Sequence, residues 1–315
     1  MAMWQIRGVI PPVVIDIAVF VFGLLLGSFL NVCIVRIPEG KSIVLPASAC
    51  PKCNSKIRPY DNIPVLSWLL LRGRCRSCKA GISPLYPTVE LMTGLVFWGC
   101  YRAFGVSLES AKWAIFAAIL IVLAFTDLRH RILPDVVNYT GFALALALSL
   151  AMKPADGTVA WLVTHAFHLR LPAPILSLAD ALLGAAIGSG LLWTVSELYF
   201  RLRGREGMGL GDVKMMLMAG AFLGPKSTFL MILLGSLLGS IFGLFVIGSL
   251  YFAGWKKSVA LRGNRRGLGA VPALQCALVR RYQLPFGTYL GIGGLAVIFL
   301  GSHVVNWYQS LLVGR

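Results

Sequence analysis

Long apolar runs decide what this chain can fold into. Residues 13–35 carry one charged side chain, Asp16, before Arg36 interrupts them. A helix needs about 20 mostly apolar residues to cross the hydrocarbon of a bilayer. Seven more runs, broken by charge, Gly and Pro, lie near residues 87–104, 113–126, 134–151, 178–200, 213–223, 228–252 and 286–305. Only 13% of the 315 residues are charged, against about 25% in a soluble domain. The expectation is an all-α polytopic membrane protein with about eight transmembrane helices. The run at 213–223 is short and predicts a tilted or irregular span. No small-residue cleavage pattern follows the first run, so it reads as an anchor and not as a removed signal.

Eight spans with the N-terminus outside put residues 36–83, 128–133, 201–214 and 254–283 on the cytoplasmic side. Those segments hold 22 of the 29 Lys and Arg residues. The other seven, Arg7, Arg102, Lys112, Lys153, Arg170, Lys226 and Arg315, fall on the far side. This is the bias of the positive-inside rule. It accounts for most of the net charge of +17, and no basic stretch interleaved with aromatics points to nucleic acid. The implied organisation is a first span at 1–36, a polar insert at 37–86 and a membrane core at 87–315. Long loops are expected at 153–177 and 254–283. A semi-apolar run at Val159–Phe167 in the first loop has the character of an interfacial helix.

The insert contains Cys50-Pro-Lys-Cys53 and, 21 residues later, Cys75-Arg-Ser-Cys78. Two such knuckles let four thiolates meet at one tetrahedral ion. Lys52, Arg74, Arg76 and Lys79 flank the thiols and favour their ionised form. A segment of about 50 residues with little apolar content needs a staple to fold. A structural zinc held by Cys50, Cys53, Cys75 and Cys78 is therefore expected, with no open position for catalysis. Two unlinked pairs of reduced cysteines are the plainer reading. Cys33, Cys100 and Cys276 read as small packing residues.

Carboxylates at membrane depth are costly and mark function by default. Asp16, Asp180 and Glu197 lie near predicted span ends, where headgroups would solvate them. Glu90 lies near a helix start, where a carboxylate suits the helix dipole. Asp127 closes one apolar run and Asp212 opens another, at similar depth. Asp212 follows Gly209-Leu210-Gly211, whose glycines free the backbone to unwind and to approach a substrate closely. Two facing aspartates are what acid–base hydrolysis of a peptide bond requires. The plainer alternative is a pair of helix-terminal carboxylates, one bound to Lys214 or Arg129. His130 sits beside Asp127, while His165, His168 and His303 lack partners with ligand spacing.

Together these residues resemble the type IV prepilin peptidases. The resemblance rests on Gly27-Ser28-Phe29-Leu30-Asn31-Val32, on the knuckles flanking Tyr60-Asp61-Asn62-Ile63-Pro64-Val65-Leu66-Ser67-Trp68, and on Tyr86-Pro87-Thr88-Val89-Glu90. It continues through Phe125-Thr126-Asp127, Ile132-Leu133-Pro134-Asp135, Gly207-Met208-Gly209-Leu210-Gly211-Asp212-Val213-Lys214 and Pro285-Phe286-Gly287-Thr288-Tyr289-Leu290. Thr288 stands where the family commonly has proline, and the loops at 153–177 and 254–283 look longer than usual. The resemblance implies a Gly-x-Gly-Asp aspartic protease of the bacterial cytoplasmic membrane. Asp127 and Asp212 would be catalytic, with Gly209, Gly211 and Lys214 in support. Its substrates would be prepilins or type II secretion pseudopilins, cut after a glycine that ends a basic leader. It further implies methylation of the new N-terminal amine by S-adenosylmethionine, whose binding residues no fingerprint reveals. A peptidase without methylation, a zinc-bearing scaffold of the secretion machinery and a proton-relay transporter are the alternatives.

Overall fold

The computed structural model describes residues 11–166, 168, 171–205, 207–261 and 285–313. Arg7, Phe167, Arg170, Cys276, Arg315 and residues 262–283 of the basic loop lie outside the described residues. Ten α-helices and no strands form among the described residues. They are α1 (Pro12–Arg36), α2 (Leu66–Leu70), α3 (Leu85–Phe104), α4 (Leu108–His130), α5 (Asp135–Ala151), α6 (Thr158–Ala166), α7 (Ala173–Arg203), α8 (Leu210–Leu223), α9 (Pro225–Leu261) and α10 (Phe286–Val313). Four stretches are long and apolar enough to cross a membrane: α1, α4, α7 and the Pro225–Ser249 part of α9. The short apolar run at 158–166 forms α6 as an independent helix. The chain stays helical to Leu261, so the first residues of the basic segment at 254–283 extend α9 instead of looping.

α8 is the axis of the bundle. Its 14 residues rise only about 21 Å at ~1.5 Å each, less than the ~30 Å of hydrocarbon. It is a regular helix, not the irregular one expected, because neighbours enclose it. Met215, Met216, Met218, Phe222 and Leu223 are fully buried there, and Phe222 stacks on Phe116 of α4. By contrast α9 turns Phe229, Leu233, Leu237, Ile241, Leu244 and Phe245 outward. That continuous apolar stripe suits lipid, not water.

Small residues set the helix spacing. On α7, Gly184 and Gly188 are four residues apart, the spacing that lets backbones approach closely in membranes. A Cβ on Gly184 would lie 2.3 Å from the Gly220 carbonyl oxygen of α8, and one on Gly220 only 2.2 Å from that of Gly184. The α1–α3 pair is built the same way, with Gly23 against the Cα of Gly94 and Gly27 against the Cα of Glu90.

Chain direction brings the ends of α1, α4 and α7 together with the starts of α3, α5, α8 and α10, beside the cysteine insert. At the opposite end a polar knot closes the bundle. Asp180 is completely buried, not solvated at an interface as its position suggested. It accepts backbone N–H bonds from Asp156 at 3.2 Å and Val159 at 3.1 Å, and so ties the start of α6 to α7. Asp156 in turn accepts from the Lys226 backbone N–H at 2.6 Å, holding the Gly224 turn between α8 and α9. Asp16 is likewise partnered, by Trp98 Nε1 at 2.9 Å and Arg102 at 3.5 Å.

Two glycine substitutions should move stability in opposite directions. Gly220→Ala forces α7 and α8 apart and should lower the thermal midpoint in detergent, since overpacking costs about 1–3 kcal/mol. Gly190 has open space around it, so Gly190→Ala should raise the midpoint by removing a helix glycine worth about 0.5–1 kcal/mol. Equal effects would mean that the α7–α8 contact does not limit stability.

Candidate active site

Three helix termini converge beside the insert. α4 ends with Asp127 in its last turn, α8 begins with Asp212 in its first turn, and α10 begins at Phe286. α4 stops because Arg131 takes a left-handed conformation (φ 55°) and its N–H caps the Asp127 carbonyl at 2.8 Å. Pro134 follows and bars a return to helix before α5.

Gly287 of α10 fills the space between the two aspartates. A Cβ there would stand 3.1 Å from Asp127 Oδ2 and 3.1 Å from Asp212 Oδ1. Twice that distance is therefore the upper bound on the separation of those oxygens. Both carboxylates reach the same side of the Gly287 backbone, at 7% and 9% exposure. Leu133 closes one side, packed against Gly211 and Gly287. Asp127 Oδ2 accepts the Thr288 backbone N–H at 2.7 Å, and the Thr288 hydroxyl lies 3.1 Å away. The side chain of Asp212 has no hydrogen-bond donor among the described residues.

The other expected residues fall nearby in different roles. Gly211 permits the contact with Leu133, whose Cβ would be 3.1 Å from a Cβ at that position. Gly209 precedes α8 at φ −73°, an ordinary conformation. Gly211 thus serves close approach, and the backbone at Asp212 is helical instead of unwound as expected. A Cβ at Gly209 would meet only the Gly211 backbone nitrogen, at 3.9 Å. Lys214 turns away from both aspartates: its Nζ donates to Asp135 Oδ2 at 2.7 Å and lies 5.7 Å from the Tyr139 ring centre. It joins α8 to α5. Thr288 and Gly287 were legible only as parts of a motif, with no chemical signal of their own.

The four cysteines form a second centre. Their sulfurs all lie within 4.8 Å of one another, and Cys50 Sγ and Cys78 Sγ are 3.8 Å apart. Sulfurs ~2.3 Å from a common tetrahedral ion would be about 3.8 Å apart, so the residues fit a metal. The knuckles repeat one turn. Asn54 N–H donates to the Cys50 carbonyl and Lys79 N–H to the Cys75 carbonyl, with Asn54 and Lys79 both at positive φ. Backbone N–H groups of Cys78 and Ser77 lower the Cys75 thiol to about 6. The Ser55 hydroxyl, 3.0 Å away, lowers that of Cys53. Arg76 grips Asp61 with two nitrogens at 2.9 and 2.6 Å, tying the second knuckle to the chain after the first.

Glu90 joins the insert to the core. It is buried, and its Oε2 accepts the Val65 N–H at 2.8 Å. It lies beyond the first turn of α3 and so does not serve the start of its own helix. Val65 has φ 62° and ψ −51°, and the Leu66 N–H reaches back to the Pro64 carbonyl at 2.6 Å. This is the rare, strained form of γ-turn, adopted by a β-branched residue. Nearby, Asn31 Nδ2 donates to the Tyr86 carbonyl at 3.0 Å, locking α1 to the start of α3.

Comparison with known proteins gives a consistent set of relatives. Residues 21–104 match the bacterial peptidase A24 N-terminal domain, and residues 114–244 match the type IV leader peptidase family. A protein of Pseudomonas aeruginosa named prepilin leader peptidase/N-methyltransferase is 34% identical over 320 residues, covering 94% of each chain. A Myxococcus xanthus protein of the same name is 39% identical over 228 residues, which are 72% of this chain and 62% of that relative. One from Pseudomonas putida is 31% identical over 99% of both chains. No solved structure matches the chain.

The Glu90 contact can be checked without any substrate. Glu90→Ala should release the Val65 turn and raise amide exchange across residues 63–71, costing about 1–3 kcal/mol for the donor left unpaired. Glu90→Gln keeps a carbonyl acceptor and should stay close to the parent. Unchanged exchange in both would show that the insert docks by other contacts.

Proposed function

The chain belongs to the type IV leader peptidase family, and we propose that Asp127 and Asp212 are the carboxylate pair with which it hydrolyses the leader peptide bond of a prepilin. The observation that carries this reading is the placement of Gly287 between two buried carboxylates, with no side chain to separate them. The enzyme removes prepilin leaders and methylates the new N-terminus, as its relatives' names state.

The chemistry follows from the pair. Two carboxylates this close hold one proton between them, because both cannot ionise in a site shielded from water. The ionised member takes a proton from water as the water oxygen bonds to the scissile carbonyl carbon. The protonated member gives its proton to the carbonyl oxygen. When the diol collapses, the C–N bond breaks and the leaving amine takes the proton drawn from water. The proton of one diol hydroxyl returns to the second carboxylate. The pair is reset, and one water has been consumed.

The eight helices α1, α3, α4, α5 and α7–α10 stand at the eight stretches read as spans. We place the insert end in the bacterial cytoplasm, where the basic segments concentrate. The substrate is itself a membrane helix and approaches laterally, with its cleavage site extended beside α8. The basic segments repel a basic leader, so leader charge sets substrate orientation. No side chain lies within 4 Å of a Cβ built at Gly209, which leaves room for the extended backbone. Lys214 supports the site indirectly, by fixing α8 against α5.

Cys50, Cys53, Cys75 and Cys78 would hold a zinc ion, whose chemistry is to cross-link the insert. Four protein thiolates fill a tetrahedral site, so the ion is structural. S-adenosylmethionine is the methyl source, carrying an electrophilic methyl to the freed amine. Lipid and the prepilin or pseudopilin are the remaining partners.

Purified protein in lipid should shorten a prepilin and add one methyl group, read by mass spectrometry. Asp127→Asn and Asp212→Asn should each lose roughly 10²-fold or more in cleavage and still methylate a pre-cleaved pilin. Cleavage that persists in either variant removes that aspartate from the mechanism. Metal analysis should find one zinc per chain. Chelation should make residues 49–81 protease-sensitive, whereas an insert equally resistant without metal would rule out the staple.

A further inference from the structure

Asp127 does a second job in the bundle. Thr288 is the third residue of α10, and the first N–H groups of a helix have no partner within it. Pro285, just before the helix, offers no side-chain oxygen to serve them. The acceptor comes instead from α4, 161 residues away in sequence: Asp127 Oδ2, 2.7 Å from the Thr288 nitrogen. The Thr288 hydroxyl sits 3.1 Å from that oxygen and 3.0 Å from the Ala124 carbonyl. A backbone N–H can only donate, so Oδ2 is held as an acceptor. The N-terminal end of α10 adds its partial positive charge. Arg131 at the end of α4 and Asp212 on α8 are the charged groups facing Asp127. Asp212 has no such donor among the described residues. The two carboxylates are therefore inequivalent.

We infer that Thr288 is a positioning residue that fixes Asp127 as the ionised, water-activating member of the pair and leaves the shared proton on Asp212. The inference rests on the proposed catalytic pair. It gives the steps a direction: Asp127 takes the proton from water through its free oxygen, Oδ1, and Asp212 donates to the substrate carbonyl. Thr288 touches neither substrate nor water in this scheme.

Two substitutions grade the effect. Thr288→Ser keeps both donors. Thr288→Val keeps the N–H and the side-chain shape and removes the hydroxyl. Each variant is titrated with prepilin in lipid, with methylation of a pre-cleaved pilin measured in parallel. Serine should restore cleavage to within about twofold of the parent. Valine should lower kcat by roughly tenfold, with KM and methylation little changed, because hydrogen bonds to charged groups are the stronger class. Parental kcat in the valine variant, or a loss confined to KM, would overturn the inference. Asp127→Asn and Asp212→Asn run alongside: if these still cleave, the catalytic pair itself is wrong, and if they are inactive while the valine variant cleaves normally, only the role of Thr288 fails.

Discussion

The contact between Gly184 and Gly220 holds α8 where the remaining helices need it. Two backbones in van der Waals contact bring α8 close enough for α5, α9 and α10 to pack around its other faces and for Phe222 to reach Phe116 of α4. In lipid there is little hydrophobic gain in bringing helices together, so close packing must supply the stability. Side chains as small as methyl groups at these positions would move α8, and Asp212 moves with it. The position of Asp212 thus depends on a contact eight residues away, between glycine backbones that hold no functional group.

The insert is anchored by a similar economy of contacts. Its sulfur cluster organises the two knuckles internally, while Glu90, Asn31 and Arg36 attach it to the first membrane helices. A strained turn at Val65 persists because a buried carboxylate holds its N–H. Strain of this kind is retained only where the surroundings over-determine it. The segment between the knuckles is therefore positioned from the membrane helices as well as from the sulfur cluster.

Much of this was legible in the residue order. Apolar run length located the helices, and cysteine spacing located the sulfur cluster. Asp127 and Asp212 stood out because carboxylates rarely end apolar runs without reason. What escaped was whatever depends on partners distant in sequence. Asp180 looked like an interfacial residue because its neighbours in sequence are apolar, yet its ligands are backbone N–H groups from the preceding loop. Glu90 looked like a residue serving its own helix, while its partner lies 25 positions back. The glycines before Asp212 suggest an unwound backbone, but the value of Gly211 is in letting Leu133 approach. Gly184 and Gly188 carry no chemistry and drew no notice. The end of α9 was missed because charged residues past a span read as loop, although a helix continues past the bilayer wherever nothing breaks it.

The short length of α8 has a consequence for the cell. Asp212 lies at one end of the helix, and behind it Met215, Met216, Met218, Phe222 and Leu223 are fully buried up to the Gly224 turn. There Asp156 and Asp180 spend their oxygens on backbone N–H groups. The proposed reaction centre is therefore backed by buried side chains on the side away from the insert. A hydrolase needs water inside the membrane, but a bacterium that stores energy as an ion gradient cannot tolerate a wet path through it. With Asp127 and Asp212 as the proposed pair, a packed floor behind them lets hydrolysis proceed without a wet path through the bundle, and the membrane remains an electrical insulator.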